Sequence, residues 1–126
     1  MNISETIAGL IHLSRRFNEL GNLSIYSLLK DTGYFETHNQ ISESAIREAL
    51  LGHPECVNEW MHLSEDKRSS AGWYFRRSGK GDYEVGYFSP KGSNIQPIQY
   101  SDEATACAAF IKREIEYIRI EGKQLS

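Results

Sequence analysis

The sequence predicts an α+β fold, with N-terminal helices, a three-stranded antiparallel β-meander and a long C-terminal helix packed on the sheet. Three patterns support this prediction: apolar residues recur with a period near 3.6 in the first half, the period changes to 2 near Gly72, and a helical period returns after Ser101. The 126 residues, 40% of them hydrophobic, suit one globular domain. We divide this domain into a mainly helical part (1–66), a meander (71–100) and a C-terminal helix (101–122).

Four helices are expected before the meander, the first of them a single amphipathic helix with apolar positions from Ile3 to Leu20. Capping residues and helix breakers set their bounds. These are Asn2 or Ser4 and Gly21 for the first helix, Asp31-Thr32-Gly33 after the second, Ser42 and Gly52 for the third, and Pro54 in the first turn of the fourth.

The meander begins where Trp73 and Phe75 alternate with Tyr74 and Arg76. Its first turn is rich in glycine and leads to a second alternating run, which contains Tyr83, Val85 and Tyr87. A third strand is expected between Ile95 and Tyr100, at the sheet edge because Pro97 cannot donate to a ladder.

The last helix is expected to be capped by Ser101 and to end before Gly122. Its predicted inner face carries small residues first and isoleucines later. This face comprises Ala104, Cys107, Ala108, Ile111, Ile115 and Ile118.

Charge is unevenly distributed along the chain. The net charge is −3, but eight acids and one base, Arg47, lie between Asp31 and Asp66, so this segment carries −7 and the remainder +4. We call residues 31–66 the acidic segment. It repels nucleic acid and anionic membranes and favours a basic partner, whereas the alternative is a solvated helical face without a partner.

No catalytic residue, metal ligand or cofactor is expected. The best metal constellation is His53, Cys56 and His62, with Cys107 as a distant fourth ligand, but its spacing matches no compact zinc pattern. An enzyme built on these side chains therefore remains a third, minor interpretation. Both cysteines are expected to be free, buried thiols, and the chain lacks an apolar run of the ~18 residues that a membrane span requires. A cytoplasmic location is expected.

The stretch between the two tryptophans is interpreted as a structural corner between helix and strand, at which Gly72 lets the chain turn and Trp73 enters the core. Together with two later stretches, it resembles small bacterial immunity proteins that accompany contact-dependent growth inhibition toxins and related polymorphic toxins. The stretches are Trp60 to Phe75, the hairpin from Asp82 to Phe88, and Ser101-Asp102-Glu103-Ala104. The resemblance covers roughly residues 42–118 and implies a non-enzymatic inhibitor that binds one toxin domain, often a nuclease such as a tRNase.

The acidic segment and the resemblance together predict a protein-binding surface for a basic toxin domain. The predicted contact residues are Asp31, Glu36, Glu43, Glu48, Glu55, Glu59 and Glu65. The alternative is a small RNA-binding or RNA-processing protein, in which Arg76, Arg77, Lys80 and Lys91 contact phosphates and nearby tyrosines stack on bases. The sequence leaves open whether the chain forms a homodimer.

Overall fold

Helices precede a three-stranded sheet in the computed structural model, which describes residues 2–20, 24–66, 72–78, 81–88 and 97–125 and confirms the α+β prediction. The elements are α1 (Ile3–Ile11), α2 (Leu13–Leu20), α3 (Ile25–Asp31), α4 (Tyr34–Thr37), a 3-10 turn (His38–Gln40), α5 (Glu43–Leu51), α6 (Glu55–Asp66), β1 (Gly72–Arg77), β2 (Tyr83–Phe88), β3 (Ile98–Tyr100) and α7 (Glu103–Leu125). Among the helices in these ranges, none has the combination of length and apolarity that crossing a bilayer demands.

The predicted first helix is in fact two helices that meet at His12. Asn2 caps α1 as expected, because its side chain accepts the Glu5 N–H at 2.8 Å. The His12 backbone N–H bonds to the Leu10 carbonyl instead of continuing the regular ladder. Its ring Nδ1 lies 2.9 Å from the Ala8 carbonyl oxygen, which would accept the His12 backbone N–H in a continuous helix. Apolar spacing hides this break, since the residues on both sides remain buried.

The predicted break after α3 occurs at Gly33, which has a φ of 88° that favours glycine. The short α4 and the 3-10 turn that follow were not predicted. Tyr34 explains their position, because its ring is fully buried and its hydroxyl donates to the Glu116 carboxylate at 2.7 Å. The predicted start of α5 is confirmed, since the Ser42 hydroxyl accepts the Ala45 N–H.

Helix α7 is the central element of the core. It packs against α5 and also against β1 and β2. The predicted inner face is confirmed as buried, and Phe110, which is not part of that predicted face, also has no exposed surface. The Phe110 ring contacts both Trp60, at a centroid distance of 5.9 Å, and Phe75, at 5.8 Å. Cys56 and Cys107 are buried free thiols, as expected.

Both predicted ends of α7 require correction. Asp102, rather than Ser101, is the cap, because its carboxylate accepts the Thr105 N–H at 2.9 Å and the Thr105 hydroxyl at 2.6 Å. The helix also continues through Gly122 to Leu125. A glycine costs a helix only ~1 kcal/mol relative to alanine, which an otherwise helical stretch can tolerate.

The sheet is antiparallel in the order β1-β2-β3, with Phe75 opposite Val85 and Val85 opposite Ile98. Ser64 of α6 accepts the Phe75 N–H at 2.7 Å and so satisfies a donor on the outer edge of β1. The edge position predicted for the third strand is confirmed, although β3 begins only at Ile98. Residues 95 and 96, Gly79 and Lys80 lie outside the described residues.

The two tryptophans of the predicted corner differ in burial. Trp60 is fully buried, and its indole N–H donates to the Ile11 carbonyl at 3.0 Å. Trp73 packs against the core but is only partly buried, so the prediction that it enters the core is confirmed only in part. Its ring packs edge-on against Tyr87, and the Arg113 guanidinium lies over one face of the Trp73 ring.

Candidate functional site

The acidic segment contributes side chains from four successive helices, α3 to α6. Six of its seven predicted contact residues are exposed. They are Asp31, Glu36, Glu43, Glu48, Glu55 and Glu65. The seventh, Glu59, is partly buried.

Two of these carboxylates already have basic partners from elsewhere in the chain. Arg15 of α2 lies 2.6 Å from Glu59, and Arg113 of α7 lies 3.2 Å from Glu43. Glu59, with 25% of its side chain exposed, connects α6 to α2 through this ion pair, and its contact with a partner stays a prediction. Glu43 stays 46% exposed and can still contribute to a surface.

Arg47, the only base of the acidic segment, faces the start of α7. Its Nε donates to the Thr105 hydroxyl at 2.9 Å and lies 3.5 Å from the Asp102 carboxylate. Hydrogen bonds from Thr105, followed by the charge of Arg47, hold the pKa of Asp102 below its ordinary value. Glu48 is 3.5 Å from Arg47 but 71% exposed. The positive charge of Arg47 is thus shared with Asp102.

Three exposed acids of the segment have no basic partner among the residues that the structure describes. Within the described part of the chain, Asp31, Glu36 and Glu65 form no ion pair with a basic side chain. Exposed carboxylates without a neighbouring base are the groups best able to attract a basic partner, because no internal charge must be displaced first.

A shallow groove of about 320 Å³ lies between Trp73 and the second half of α7, and the sequence did not predict it. Its apolar surface includes Tyr117 and Ile120, and Ile120 is 51% exposed. Arg113 joins the groove to the acidic segment, because the same guanidinium lies over Trp73 and pairs with Glu43. Tryptophan, tyrosine and arginine are the residue types most enriched among binding hot spots.

Two side chains that line the groove contact Tyr34 of α4, the helix that also carries Glu36. Lys112 and Glu116 line the groove, and both bond to the Tyr34 hydroxyl, at 2.9 and 2.7 Å. An apolar groove bordered by charged side chains is the usual anatomy of a protein-binding surface.

The outer face of the sheet holds the side chains that an RNA-binding site would need. Glu84, only 8% exposed, accepts hydrogen bonds from the Tyr74 hydroxyl at 2.7 Å and from Gln99 at 2.9 Å. It also pairs with Arg76 at 2.8 Å. Burial alone would raise the pKa of Glu84, but the three hydrogen bonds outweigh it and lower this pKa. Arg76 and Tyr74 are therefore engaged within the sheet.

Of the remaining bases of this cluster, the structure describes only Arg77. Arg77 lies over the Tyr83 ring at 5.9 Å, and Lys80 and Lys91 fall outside the described residues. Burial and the bond to Glu84 raise the pKa of Tyr74 to about 12.

We expect the network around Glu84 to make stability depend on pH in a predictable direction. The folded pKa of Glu84 lies below its ordinary value of 4.5, so its contribution is present above that value and lost as pH falls through the folded pKa. Glu84→Gln should cost about 1–3 kcal/mol near pH 7. Urea unfolding of both proteins between pH 7 and 3 should show this difference shrinking, whereas a constant difference would contradict the role assigned to the charge.

The best metal constellation in the sequence, His53, Cys56 and His62, which was not expected to bind a metal, is not brought together by the fold. Cys56 is buried and His62 is exposed on α6. Among the described residues, the structure instead brings His53 and Glu55 together with His12. No local signal reveals this contact, because His12 and His53 belong to different helical boundaries that meet only in the folded chain.

Comparison with known proteins does not assign the chain to a family. No protein-family model, no curated protein and no solved structure matches it. Its function must therefore be inferred from the exposed acidic segment, the neighbouring groove and the internally paired residues of the sheet.

Proposed function

We propose that this protein is a non-enzymatic immunity protein, which binds and neutralises a cognate antibacterial toxin domain with a basic surface, such as a tRNase, in the cytoplasm. The observation that carries this proposal is the exposure of six carboxylates in a segment whose only base, Arg47, is turned toward Asp102. The resemblance to immunity proteins of contact-dependent growth inhibition systems supports the same function.

The chemistry of a nuclease explains why such a surface would inhibit it. A nuclease must present lysine and arginine to phosphates, because phosphate contacts dominate its affinity for nucleic acid. Exposed carboxylates such as Asp31 and Glu36 can complement those bases and compete with the substrate for them. Charge complementarity of this kind also accelerates association and disfavours partners with an acidic surface.

The groove would supply the apolar part of the interface. Trp73, Tyr117 and Ile120 can contact an apolar side chain of the toxin, while Arg113 and Glu43 lie at the border with the acidic segment. We therefore expect the toxin to contact α4, the start of α5 and the groove, with the carboxylates acting mainly at the rim.

A paired binding experiment tests this function against the RNA-binding alternative. The first probe is the C-terminal domain encoded by the gene directly upstream, where a toxin gene is expected, and the second is single-stranded RNA. We expect a 1:1 complex with the domain that weakens as salt increases, and no submicromolar complex with RNA, because Arg76 is paired with Glu84. A submicromolar, salt-dependent RNA complex, or no binding of the upstream domain, would contradict the proposal.

A further inference from the structure

Two helical boundaries that are distant in sequence bring three metal-binding side chains together. His12 lies at the junction of α1 and α2, and His53 lies in the turn before α6. Their rings meet edge to face at a centroid distance of 5.3 Å. Glu55 is beside them, with its carboxylate 3.4 Å from His53 Nδ1. One ligand atom from each residue lies within 4.8 Å of the other two.

From this arrangement we infer that His12, His53 and Glu55 form a binding site for a divalent transition-metal ion of the zinc class. Two imidazoles and one carboxylate are a known donor set for zinc with three protein ligands, in which water takes the fourth position. This inference does not rest on the proposed toxin binding, although Glu55 is also one of the exposed carboxylates of the acidic segment.

The hydrogen bond of His12 prepares its ring for this role. Nδ1 faces the Ala8 carbonyl oxygen at 2.9 Å, and because a carbonyl only accepts, Nδ1 must carry the proton. With the proton on Nδ1, the lone pair lies on Nε2, and a metal ion can bind there. A second ring nitrogen that donates to a backbone carbonyl is the usual support of a metal-binding histidine.

The backbone that carries the site is held by buried neighbours. Ile11 and Leu13, on either side of His12, are at most 1% exposed. Trp60 donates to the Ile11 carbonyl and so fastens the end of α1 to α6. The His53 N–H donates to Leu50 and its carbonyl accepts from Cys56, both at 3.0 Å. The two backbone segments therefore keep a fixed separation.

The side chains can close the remaining distance. Ligand atoms bound to zinc at 2.0–2.1 Å in a tetrahedron are roughly 3.3 Å from one another. The ligand atoms of His12, His53 and Glu55 lie within 4.8 Å of one another, so they must move somewhat closer together to bind the ion. The His53 and Glu55 side chains are 50% and 51% exposed, so both can rotate without disturbing the core. Only these two exposed side chains need to move toward His12.

The surrounding charges are compatible with a bound cation. The nearby base Arg15 pairs with Glu59 at 2.6 Å, so its charge is largely compensated. Cys56 is not expected to compete as a ligand, because it is fully buried whereas His53 and Glu55 are exposed. The donors available at the site are thus nitrogen and oxygen.

Calorimetric titration of the chelator-treated full chain with Zn²⁺ tests this site. We expect one ion per chain, and a thermal midpoint that rises by about 5–10 °C when free Zn²⁺ exceeds the Kd by ~100-fold. His12→Ala and His53→Ala should each weaken binding roughly tenfold or more, and Glu55→Gln should weaken it as well. The matched control is His62→Ala, since His62 is an exposed histidine on α6 outside the site.

Two spectroscopic measurements on the unmodified chain keep the test independent of how the variants fold. In NMR spectra, Zn²⁺ should shift the ring signals of His12 and His53 and leave those of His38 and His62 in place. Co²⁺ should bind without the near-ultraviolet band of a thiolate ligand. Shifts confined to other histidines, a cobalt–thiolate band, or unchanged affinity in His12→Ala would overturn the inference.

Discussion

Replacing Trp60 with alanine is expected to lower the free energy of unfolding by about 3–5 kcal/mol. The side chain is fully buried between α1 and α7, where its ring meets Phe110. Its removal opens a cavity and also leaves the Ile11 carbonyl without its indole donor. Domains of this size have a free energy of unfolding of only ~5–15 kcal/mol, so this substitution is expected to remove a large share of it.

Trp73→Ala is the matched control, because it removes the same side chain from a partly buried position. We expect it to cost roughly half as much or less, since the Trp73 ring already contacts solvent and the groove. Urea unfolding followed by far-ultraviolet circular dichroism measures both variants without relying on tryptophan fluorescence. Equal losses would contradict the different burial of the two rings.

The sequence was sufficient to predict the order and type of the main elements. A period near 3.6 in α5, α6 and α7 and a period of 2 in β1 and β2 directly reflect which side of each element is buried. The break at His12 was missed because buried residues continue on both sides of it. The choice of Asp102 over Ser101 as the cap depends on a side-chain bond to Thr105, which spacing alone does not specify.

The candidate site was less predictable, because it depends on contacts between distant parts of the chain. The exposure of most of the acids followed from their positions between apolar residues. The pairing of Glu59 with Arg15 and of Glu43 with Arg113 did not, since it depends on how the helices dock. The groove beside Trp73 was missed for the same reason: β1 and α7 form it only after folding.

Reversing charge at Asp31 and Glu36 is expected to slow association with the toxin domain and to reduce protection of cells that express it. Both side chains are exposed and, among the described residues, have no basic partner, so their replacement by lysine removes attraction without breaking an ion pair. Rim charges act mainly on the association rate, which electrostatic steering raises from ~10⁵–10⁶ toward 10⁸–10⁹ M⁻¹s⁻¹ at low salt. We expect the association rate constant to fall about tenfold or more at low ionic strength.

Glu5→Lys/Glu19→Lys provides the matched control. Both glutamates are exposed on the first two helices, outside the acidic segment. Each double variant changes the net charge from −3 to +1, because two acids become two bases. A difference between the variants therefore reports the position of the charges rather than their sum. Thermal unfolding of both should first establish that they are folded.

The most direct test of the acidic segment as the toxin-binding surface is the association rate constant, measured by stopped flow at low and high salt for the wild type and both double variants. We expect Asp31→Lys/Glu36→Lys to associate more slowly at low salt and to lose much of the salt dependence, while Glu5→Lys/Glu19→Lys stays close to the wild type. Equal rates for the two variants at low salt would contradict this account and leave the acidic segment as a solvated surface.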